Sequence, residues 1–358
     1  MIDQHCHSIT LADLDDSAFA SLLTESDRPP APGISPFDSS LGLAVRRWCP
    51  PALGLPAHAP MADYLARRRE LGPAEAARRL LAATGISHCL VDTGLTIAAG
   101  HPLLPLPDLA SLSGAQVREV VRLESIAEPV DTSPADWAHA VESALRTATA
   151  SAVAVKSVLA YRHGLAIPAE RPSPPEVAHA AATHRPGRRL TDPVLLRQLL
   201  WTAVDLGLPI QLHTGFGDPD LTLHRADPSL LTDFIRAVEP TATPLVLLHT
   251  YPYHRQAAWL AQSFPHVYAD LGLTLSYTGP RAATVLGEML ELTPFAKLLF
   301  STDAYGLPEL YTVGAAQYRH ALHRTLTTWQ SDGACTAADA TRIAGLVSTE
   351  NSRRLYGL

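Results

Sequence analysis

Met1-Ile2-Asp3-Gln4-His5-Cys6-His7-Ser8 opens the chain, and the rest of the sequence is best interpreted outward from it. In a β-strand, residues i and i+2 project to the same face, so His5 and His7 point together and Cys6 points the other way. Two imidazoles at the end of a strand are half of a metal site. The alternative is a pair of solvent-facing polar residues near a frayed terminus. The choice depends on whether other strand ends supply further ligands.

The composition is that of a globular protein with room for a large core. The chain has 358 residues, of which 47% are hydrophobic and 18% charged, and its net charge is −7. This charge argues against nucleic acid or an anionic membrane as a partner. The sequence has no signal-peptide pattern and no apolar run of membrane length. We therefore expect a cytoplasmic protein that acts on a small molecule, and homo-oligomerisation is left open.

Seven further apolar stretches follow the first strand and alternate with helical patterns. The predicted strands cover residues 86–94, 120–126, 152–158, 209–215, 244–250, 266–271 and 297–303. Near-continuous apolar strands indicate a parallel sheet that is buried on both faces. Eight of them predict one (β/α)8 TIM-barrel domain over residues 1–358, with a long insertion after strand one and extra C-terminal helices. An open doubly wound sheet competes, but no glycine-rich dinucleotide fingerprint follows the first strand.

The segments between the strands are mostly helical, apart from two long Pro-rich connections. Helical patterns cover residues 63–84 (one helix or a pair), 134–150, 192–206, 228–238, 254–263 and 279–292. The polar connections span residues 10–62 and 162–190. A connection as long as the first is usually functional or contains small helices. It is interpreted either as a lid over the site or as an ordinary elaboration.

Metal-binding side chains recur where the predicted strands end, which is where barrel active sites lie. These strand-end residues are His5 and His7 on strand one, Lys156 on strand four, His213 on strand five, His249 on strand six and Asp303 on strand eight. Imidazole and carboxylate are usual ligands of zinc and similar divalent ions. A lone buried histidine is usually a satisfied core residue. Four histidines and an aspartate at equivalent strand ends instead predict a metal site.

The pattern resembles the amidohydrolase superfamily over essentially the whole chain. That superfamily is marked by HxH on strand one, His on strands five and six, and Asp on strand eight. The chain is most similar to the amidohydrolase-2 group, especially the domain fused to glutamine synthetase in nodulin-like proteins. The closer resemblance is carried by Lys156-Ser157, Ala160-Tyr161-Arg162, His213-Thr214-Gly215, Gly217-Asp218, His249, Tyr251-Pro252, Ser301-Thr302-Asp303-Ala304, Glu350-Asn351, Arg353 and Leu355-Tyr356.

The resemblance implies metal-assisted hydrolysis, most often of amides or esters. We expect one or two divalent ions, zinc in the first place and manganese or iron otherwise, held by His5, His7 and Asp303. Such an ion makes a water molecule more acidic, and Asp303 can accept its proton and pass it to the leaving group. His213 either completes the ligand set or holds a second ion. His249 is either a ligand or polarises the substrate carbonyl.

Lys156 has several interpretations. As an ammonium ion it would repel a metal. As a carbamate it would bridge two metals, which the resemblance to binuclear superfamily members permits. As a plain lysine it would bind a substrate carboxylate or the oxyanion, and it could also extend to solvent. We expect it to take part in the site.

Loop residues supply candidate substrate contacts. Arg162 could clamp a substrate carboxylate or form a surface ion pair. Asp218 could receive a substrate amine or stabilise its own turn. Tyr161, His254 and Glu309 are further candidates.

Three functions follow from these residues. The first is a metal-dependent hydrolase of a small-molecule C–N bond, such as an amide or γ-glutamyl bond. The second is a non-oxidative decarboxylase of the amidohydrolase-2 group, which would use one metal and no bridging lysine. The third is a metal-binding scaffold without catalysis, and the intact Asp303 argues against it.

Overall fold

The computed structural model describes residues 1–358, with a curled parallel sheet at its centre. Seven strands neighbour one another in chain order: β1 (Ile2–Cys6), β2 (His88–Asp92), β3 (Gln116–Arg122), β4 (Ala154–Ser157), β5 (Ile210–His213), β6 (Leu245–Leu248) and β7 (Val267–Ala269). Every neighbouring pair is parallel. A separate antiparallel hairpin pairs Ile97–Ala98 with His101–Pro102.

Residues 298–303 occupy the eighth position of the ring without forming a regular strand. On one side, the Leu299 N–H donates to the Ala269 carbonyl at 2.9 Å; on the other, the Gln4 N–H donates to the Phe300 carbonyl at 3.1 Å. This segment therefore joins β7 to β1, and the predicted eight-membered barrel is confirmed.

Helices cover the outside of the barrel and fill its connections. The α-helices are Asp16–Ser21, Ser40–Trp48, Met61–Leu71, Pro73–Ala82, Leu106–Ser113, Leu123–Ala127, Trp137–Ala148, Leu159–Arg162, Pro174–Ala181, Pro193–Leu206, Thr232–Val238, His254–Ser263, Thr274–Thr278, Ala282–Leu290, Pro308–Ser331, Ala337–Gly345 and Asn351–Tyr356. Short 3₁₀ turns are Pro50–Leu53, Leu223–Ala226, Pro228–Leu231, Glu239–Thr241, Gly279–Arg281 and Phe295–Lys297, and Leu346–Glu350 is a π-turn. None of these helices combines the length and apolar character that a membrane span needs.

The third strand differs most from its predicted position. It covers Gln116–Arg122 instead of residues 120–126, and the next residues form the helix Leu123–Ala127. Within that helix, the Glu124 carboxylate accepts hydrogen bonds from the Ser157 hydroxyl at 2.6 Å and the Val158 N–H at 3.0 Å. These tertiary contacts hold a helix where the local apolar pattern alone predicts a strand.

The insertion after β1 is packed and contains two α-helices of its own. Phe19, Leu41 and Val45 are fully or almost fully buried in an apolar cluster that also includes Val313 of the long helix Pro308–Ser331. The connection over residues 10–62 is therefore an ordered elaboration built against the barrel.

Strand alternation separates the barrel's core from its site. On β5, Ile210 and Leu212 belong to the main apolar cluster shared with the surrounding helices. Gln211 and His213 alternate with them and so face the barrel interior. The same alternation directs the strand-end ligands inward.

Candidate metal centre

The Asp303 carboxylate lies among the histidines predicted from the strand ends. Its Oδ1 is 3.2 Å from His5 Nε2 and 3.5 Å from His7 Nε2, and its Oδ2 is 3.3 Å from His249 Nδ1. The His213 ring centre lies 4.8 Å from that of His249. Residues from β1, β5 and the segments after β6 and β7 thus meet at one point inside the barrel mouth.

Buried hydrogen bonds hold the turns that carry two of these ligands. His249 and Asp303 have φ angles of 67° and 51°, a region that non-glycine residues rarely adopt. The His249 N–H donates to Asp270 Oδ1 at 2.7 Å, and the Thr302 N–H donates to Asp3 Oδ1 at 2.9 Å. Burial raises the pKa of Asp3 to about 8 and that of Asp270 to about 7. Both bracing carboxyls are fully buried.

Hydrogen bonds on the far sides of His5 and His7 determine which nitrogen faces Asp303. His5 Nδ1 lies 2.8 Å from Gln211 Oε1, and the Gln211 amide nitrogen is used in other hydrogen bonds. His7 Nδ1 lies 3.1 Å from the carbonyl oxygen of Asp92. An oxygen acceptor at Nδ1 requires a proton there, so in the neutral form of each ring the lone pair is on Nε2.

Neutral imidazoles and an ionised Asp303 lie close together, and a bound cation would stabilise this cluster. Burial and the nearby Lys156 lower the pKa of His5 to about 4 and that of His213 to about 3. Burial acts to raise the pKa of Asp303, but the imidazoles of His249 and His5 lower it by more, so the carboxylate is ionised. At neutral pH, a lone pair on His5 Nε2 faces a carboxylate oxygen at 3.2 Å. The two repel each other unless a positive charge lies between them.

Two more imidazole nitrogens are suited to a metal. His213 Nε2 and His249 Nδ1 are buried and have no hydrogen-bond partner, although buried polar atoms nearly always have one. Glycine at position 272 makes room for the His249 ring, because a Cβ on residue 272 would lie 2.5 Å from His249 Nδ1. The ligand atoms of His5, His249 and Asp303 lie within 4.8 Å of one another. This set of nitrogen and oxygen donors fits a divalent ion such as zinc.

The sequence did not single out Asp92, although Asp92, like the predicted ligands, lies at the end of a strand. It forms a second ligand group with His5 and His7, also within 4.8 Å. However, Asp92 Oδ2 accepts a hydrogen bond from the Arg122 guanidinium at 2.7 Å. Burial acts to raise the pKa of Asp92, but the charge of Arg122 together with those of His7, Lys156 and His5 holds it below its usual value. Because the charge of Asp92 is paired with Arg122 and Asp303 has no arginine partner, Asp303 is the better candidate ligand.

Lys156 lies inside this cluster. Its Nζ is 3.1 Å from His5 Nε2 and 3.9 Å from Asp92 Oδ2, and only 2% of the residue is exposed. Burial lowers the pKa of Lys156, against the opposing effect of Asp92. Its amine therefore belongs to the site and is not directed to solvent.

Tyr161 is the predicted substrate contact that the structure brings to the metal ligands. Its ring centre lies 4.5 Å from that of His213. A Cβ at position 217 would overlap the Tyr161 hydroxyl and lie 3.3 Å from His213 Nε2, so Gly217 allows the close approach. The phenol thus borders the same space as the unpartnered nitrogen.

The other loop candidates have protein partners. Arg162 lies 3.0 Å from Glu128, and Asp218 accepts a hydrogen bond from the Asp220 N–H at 2.9 Å within its own turn. His254 Nε2 lies 2.8 Å from Glu288 Oε2, away from the metal ligands. Glu309 is fully buried and accepts hydrogen bonds from Tyr64 and Arg68, each at 2.9 Å. Glu309 is therefore a structural residue.

Glu25 reaches the site from the insertion, and no sequence signal identified it. Its carboxylate accepts a hydrogen bond from the Tyr277 hydroxyl at 3.0 Å. Burial raises the pKa of Glu25 to about 7, and the charges of Asp303 and Asp218 add to this effect. The insertion therefore contributes an acidic side chain to the barrel mouth.

A closed parallel barrel with strand-end imidazoles around an aspartate defines the class of metal-dependent barrel enzymes. The family model for amidohydrolases (Amidohydro_2) matches residues 130–358, and the chain belongs to this family. The family part of the resemblance is therefore confirmed.

Individual relatives agree with this assignment. A provisionally named metal-dependent hydrolase from Lactobacillus casei ATCC 334 is 26% identical, with a TM-score of 0.86 over 100% of this chain and 95% of that one. The uronate isomerase of Bacillus halodurans C-125 is 14% identical, with a TM-score of 0.64 over 99% and 93% of the two chains, and shares the fold. Protein fluG of Emericella nidulans is 38% identical over 152 residues, which are 42% of this chain and 17% of that protein.

Proposed function

We propose that the protein hydrolyses a C–N bond in a small molecule, an amide or a γ-glutamyl compound, with a divalent metal ion at the centre around Asp303. The observation that carries the proposal is the ionised Asp303 carboxylate within 3.5 Å of three imidazoles at the barrel mouth. Zinc is the favoured ion, with manganese or iron as alternatives.

The ion, when bound, supplies Lewis-acid chemistry that makes water more acidic and polarises a carbonyl group. Asp303 accepts the proton of the attacking water as a carbon–oxygen bond forms. When the carbon–nitrogen bond breaks, the nitrogen leaves with the bonding electron pair, and Asp303 returns the proton to it. Balanced in this way, the reaction consumes one water and yields an acid and an amine.

The neighbouring side chains divide the remaining tasks. His5 and His7 are ligands whose orientation is held by Gln211 and by the Asp92 carbonyl. His213 and His249, with their unpartnered nitrogens, are further ligands, and His249 alternatively polarises the carbonyl oxygen. The Tyr161 hydroxyl, beside His213, is a donor for the developing oxyanion.

Lys156 is included in the site on the basis of its contact with His5 Nε2. As a carbamate it would be a further anionic metal ligand; as a plain lysine it would contact the substrate. We would measure bound metal in wild type and Lys156→Ala. Loss of one of two equivalents, partly restored by short carboxylates, indicates the carbamate, whereas unchanged metal content indicates a substrate contact at most.

The proposed reaction is tested with protein loaded separately with zinc, manganese or iron. Amides, γ-glutamyl compounds and aromatic carboxylic acids are incubated with it, and the products are identified by mass spectrometry. We expect amine release that a chelator abolishes and the metal restores.

Two results would contradict the proposal. One is decarboxylation of the aromatic acids with every C–N bond left intact, which favours the decarboxylase. The other is full C–N hydrolysis by metal-free protein, which removes the metal centre from the reaction.

A further inference from the structure

A second concave site lies among the loops that follow β5, β6 and β7. It is a cavity of about 610 Å³, within the range of small-molecule pockets. Its walls are mainly aromatic and apolar and include Phe216, Tyr251, Tyr277 and Val285. Leu223 on its rim is 43% exposed, which is unusual for a large apolar side chain. None of the predicted metal ligands lines this cavity.

Three aromatic rings in the cavity wall pack on one another and belong to segments that lead from the candidate metal centre. The Phe216 ring packs edge-on against Tyr277 at 5.5 Å and against Tyr251 at 6.2 Å. Phe216 follows the ligand His213 by three residues, and Tyr251 follows His249 by two. The Tyr277 hydroxyl bonds to Glu25, whose carboxylate is close enough to Asp303 for their charges to interact. The cavity thus adjoins the catalytic mouth.

The polar side of the cavity carries an arginine whose guanidinium makes no hydrogen bond within the protein. The Glu288 carboxylate in the same wall lies 2.8 Å from His254 Nε2, and His254 Nδ1 lies 3.2 Å from the Pro252 carbonyl. Arg281, which also lines the cavity, lies 4.0 Å from Glu288, beyond hydrogen-bond distance. Its long contact with Glu288 leaves the N–H groups of the exposed Arg281 guanidinium available to an anion.

We propose that this cavity binds the remote part of the substrate, an aromatic or branched apolar group that bears a carboxylate, with the carboxylate held by Arg281. The inference rests on the proposed C–N hydrolysis and specifies its substrate as an amide of an apolar or aromatic amino acid. The aromatic wall receives the side chain by burial of apolar surface, and the guanidinium pairs with the carboxylate.

Binding is tested by calorimetry with three probes on metal-loaded protein that carries Asp303→Asn, because the active enzyme would hydrolyse probes that contain the proposed amide bond. These are N-acetylphenylalanine, N-acetylglycine (which lacks the ring) and N-acetylphenylalaninamide (which lacks the carboxylate). We expect N-acetylphenylalanine to bind about tenfold or more tightly than either of the others, because each missing contact is worth roughly 1.4 kcal/mol or more.

Variants separate the two contacts. Arg281→Gln alters an exposed side chain and should abolish the preference for carboxylate over carboxamide. Val285→Phe should fill the cavity and abolish the preference for the ring. The matched control is Arg255→Gln, because Arg255 also lies near Glu288, at 3.6 Å, but pairs with Glu291 outside the cavity. It should retain both preferences.

The possible outcomes test the cavity proposal and the hydrolase proposal separately. Equal binding of all three probes by Asp303→Asn protein with an unaltered cavity, or equal effects of adding Arg281→Gln and Arg255→Gln to it, overturns the cavity's role. If amides are hydrolysed with the same kcat/KM whatever their remote group, the cavity proposal fails and the hydrolase proposal survives. If the probe preferences hold but no C–N bond is cleaved, the hydrolase proposal fails, and the cavity is retained as a binding site for such acids.

Discussion

His249 and His254 lie five residues apart, are both buried, and differ in how their rings are used. The ring of His249 has an unpartnered nitrogen 3.3 Å from a carboxylate oxygen. The ring of His254 faces an acceptor at each nitrogen and stacks on Tyr251 at 5.6 Å. The His249 nitrogen has no hydrogen-bond partner within the protein, whereas both nitrogens of His254 face an acceptor. Burial alone therefore does not identify a candidate metal ligand, and neither does an unsatisfied nitrogen alone, since buried His266 also has one. What distinguishes His249 is an unsatisfied nitrogen that faces the other candidate ligand atoms.

Asp303→Asn should give the largest effect, because it removes the proton acceptor and keeps the side-chain shape. We expect partial metal binding and a fall in turnover of about 10²- to 10⁴-fold, measured as kcat at saturating metal. Asp233→Asn, a surface change next to Arg236, is the control. Near-normal turnover by metal-loaded Asp303→Asn would transfer the proton-shuttle role to His249.

The comparison between the two histidines is tested directly by His249→Ala and His254→Ala. We expect His249→Ala to lose metal affinity by more than the roughly 10- to 100-fold typical of residues that only orient a ligand. His254→Ala should retain its metal and lose about 1–3 kcal/mol of unfolding free energy, because Glu288 loses its shortest contact and keeps only the longer ones to Arg255 and Arg281. Titration with zinc and urea unfolding measure the two quantities. Equal metal loss in both variants would show that His249 is no more a metal ligand than His254.

Gln211→Leu extends the test to a residue that does not face the metal but forms a hydrogen bond with the proposed ligand His5. It removes the acceptor that keeps the His5 proton on Nδ1, so metal affinity should fall by about 10- to 100-fold. Activity at saturating metal should recover in large part. Gln198→Leu, on the outer helix Pro193–Leu206, is the matched control. An unchanged zinc affinity in Gln211→Leu would mean that the ring orientation of His5 is set by packing.

Glu25→Gln should give the smallest effect, a gain in stability whose size depends on pH. The folded pKa of Glu25 is raised to about 7, above an unfolded value of about 4.3. Between these values the folded protein binds more protons than the unfolded chain, so Glu25 lowers stability as pH rises through this window. In metal-free protein, Glu25→Gln should therefore gain on the order of 1 kcal/mol relative to wild type at pH 8 but not at pH 4.

Urea unfolding at the two pH values measures this difference, with Glu70→Gln as an exposed control. Added metal should shrink the effect, because a cation near Asp303 favours the charged form of Glu25. A gain of the same size at both pH values would show that the residue acts through packing.

The sequence predicted the barrel and the cluster of strand-end side chains because both depend on local pattern. Apolar strands alternate with helices, and His5, His213 and Asp303 stand where strands end. Asp92 stands at such an end too, yet an aspartate there is common in any turn, so residue type alone did not single it out. Glu25 and the aromatic cavity depend on how distant segments pack, which no single stretch of sequence records.

His5 and Asp303 stand 298 positions apart in the chain, yet their side chains meet at 3.2 Å across the seam of the barrel. Closing that seam brings together the two most distant parts of the ring, a contact of high sequence separation. A metal that bridges the seam binds only after closure, so it stabilises the finished ring and not the path toward it. In kinetic terms, we expect added zinc to slow unfolding and to leave the refolding rate nearly unchanged.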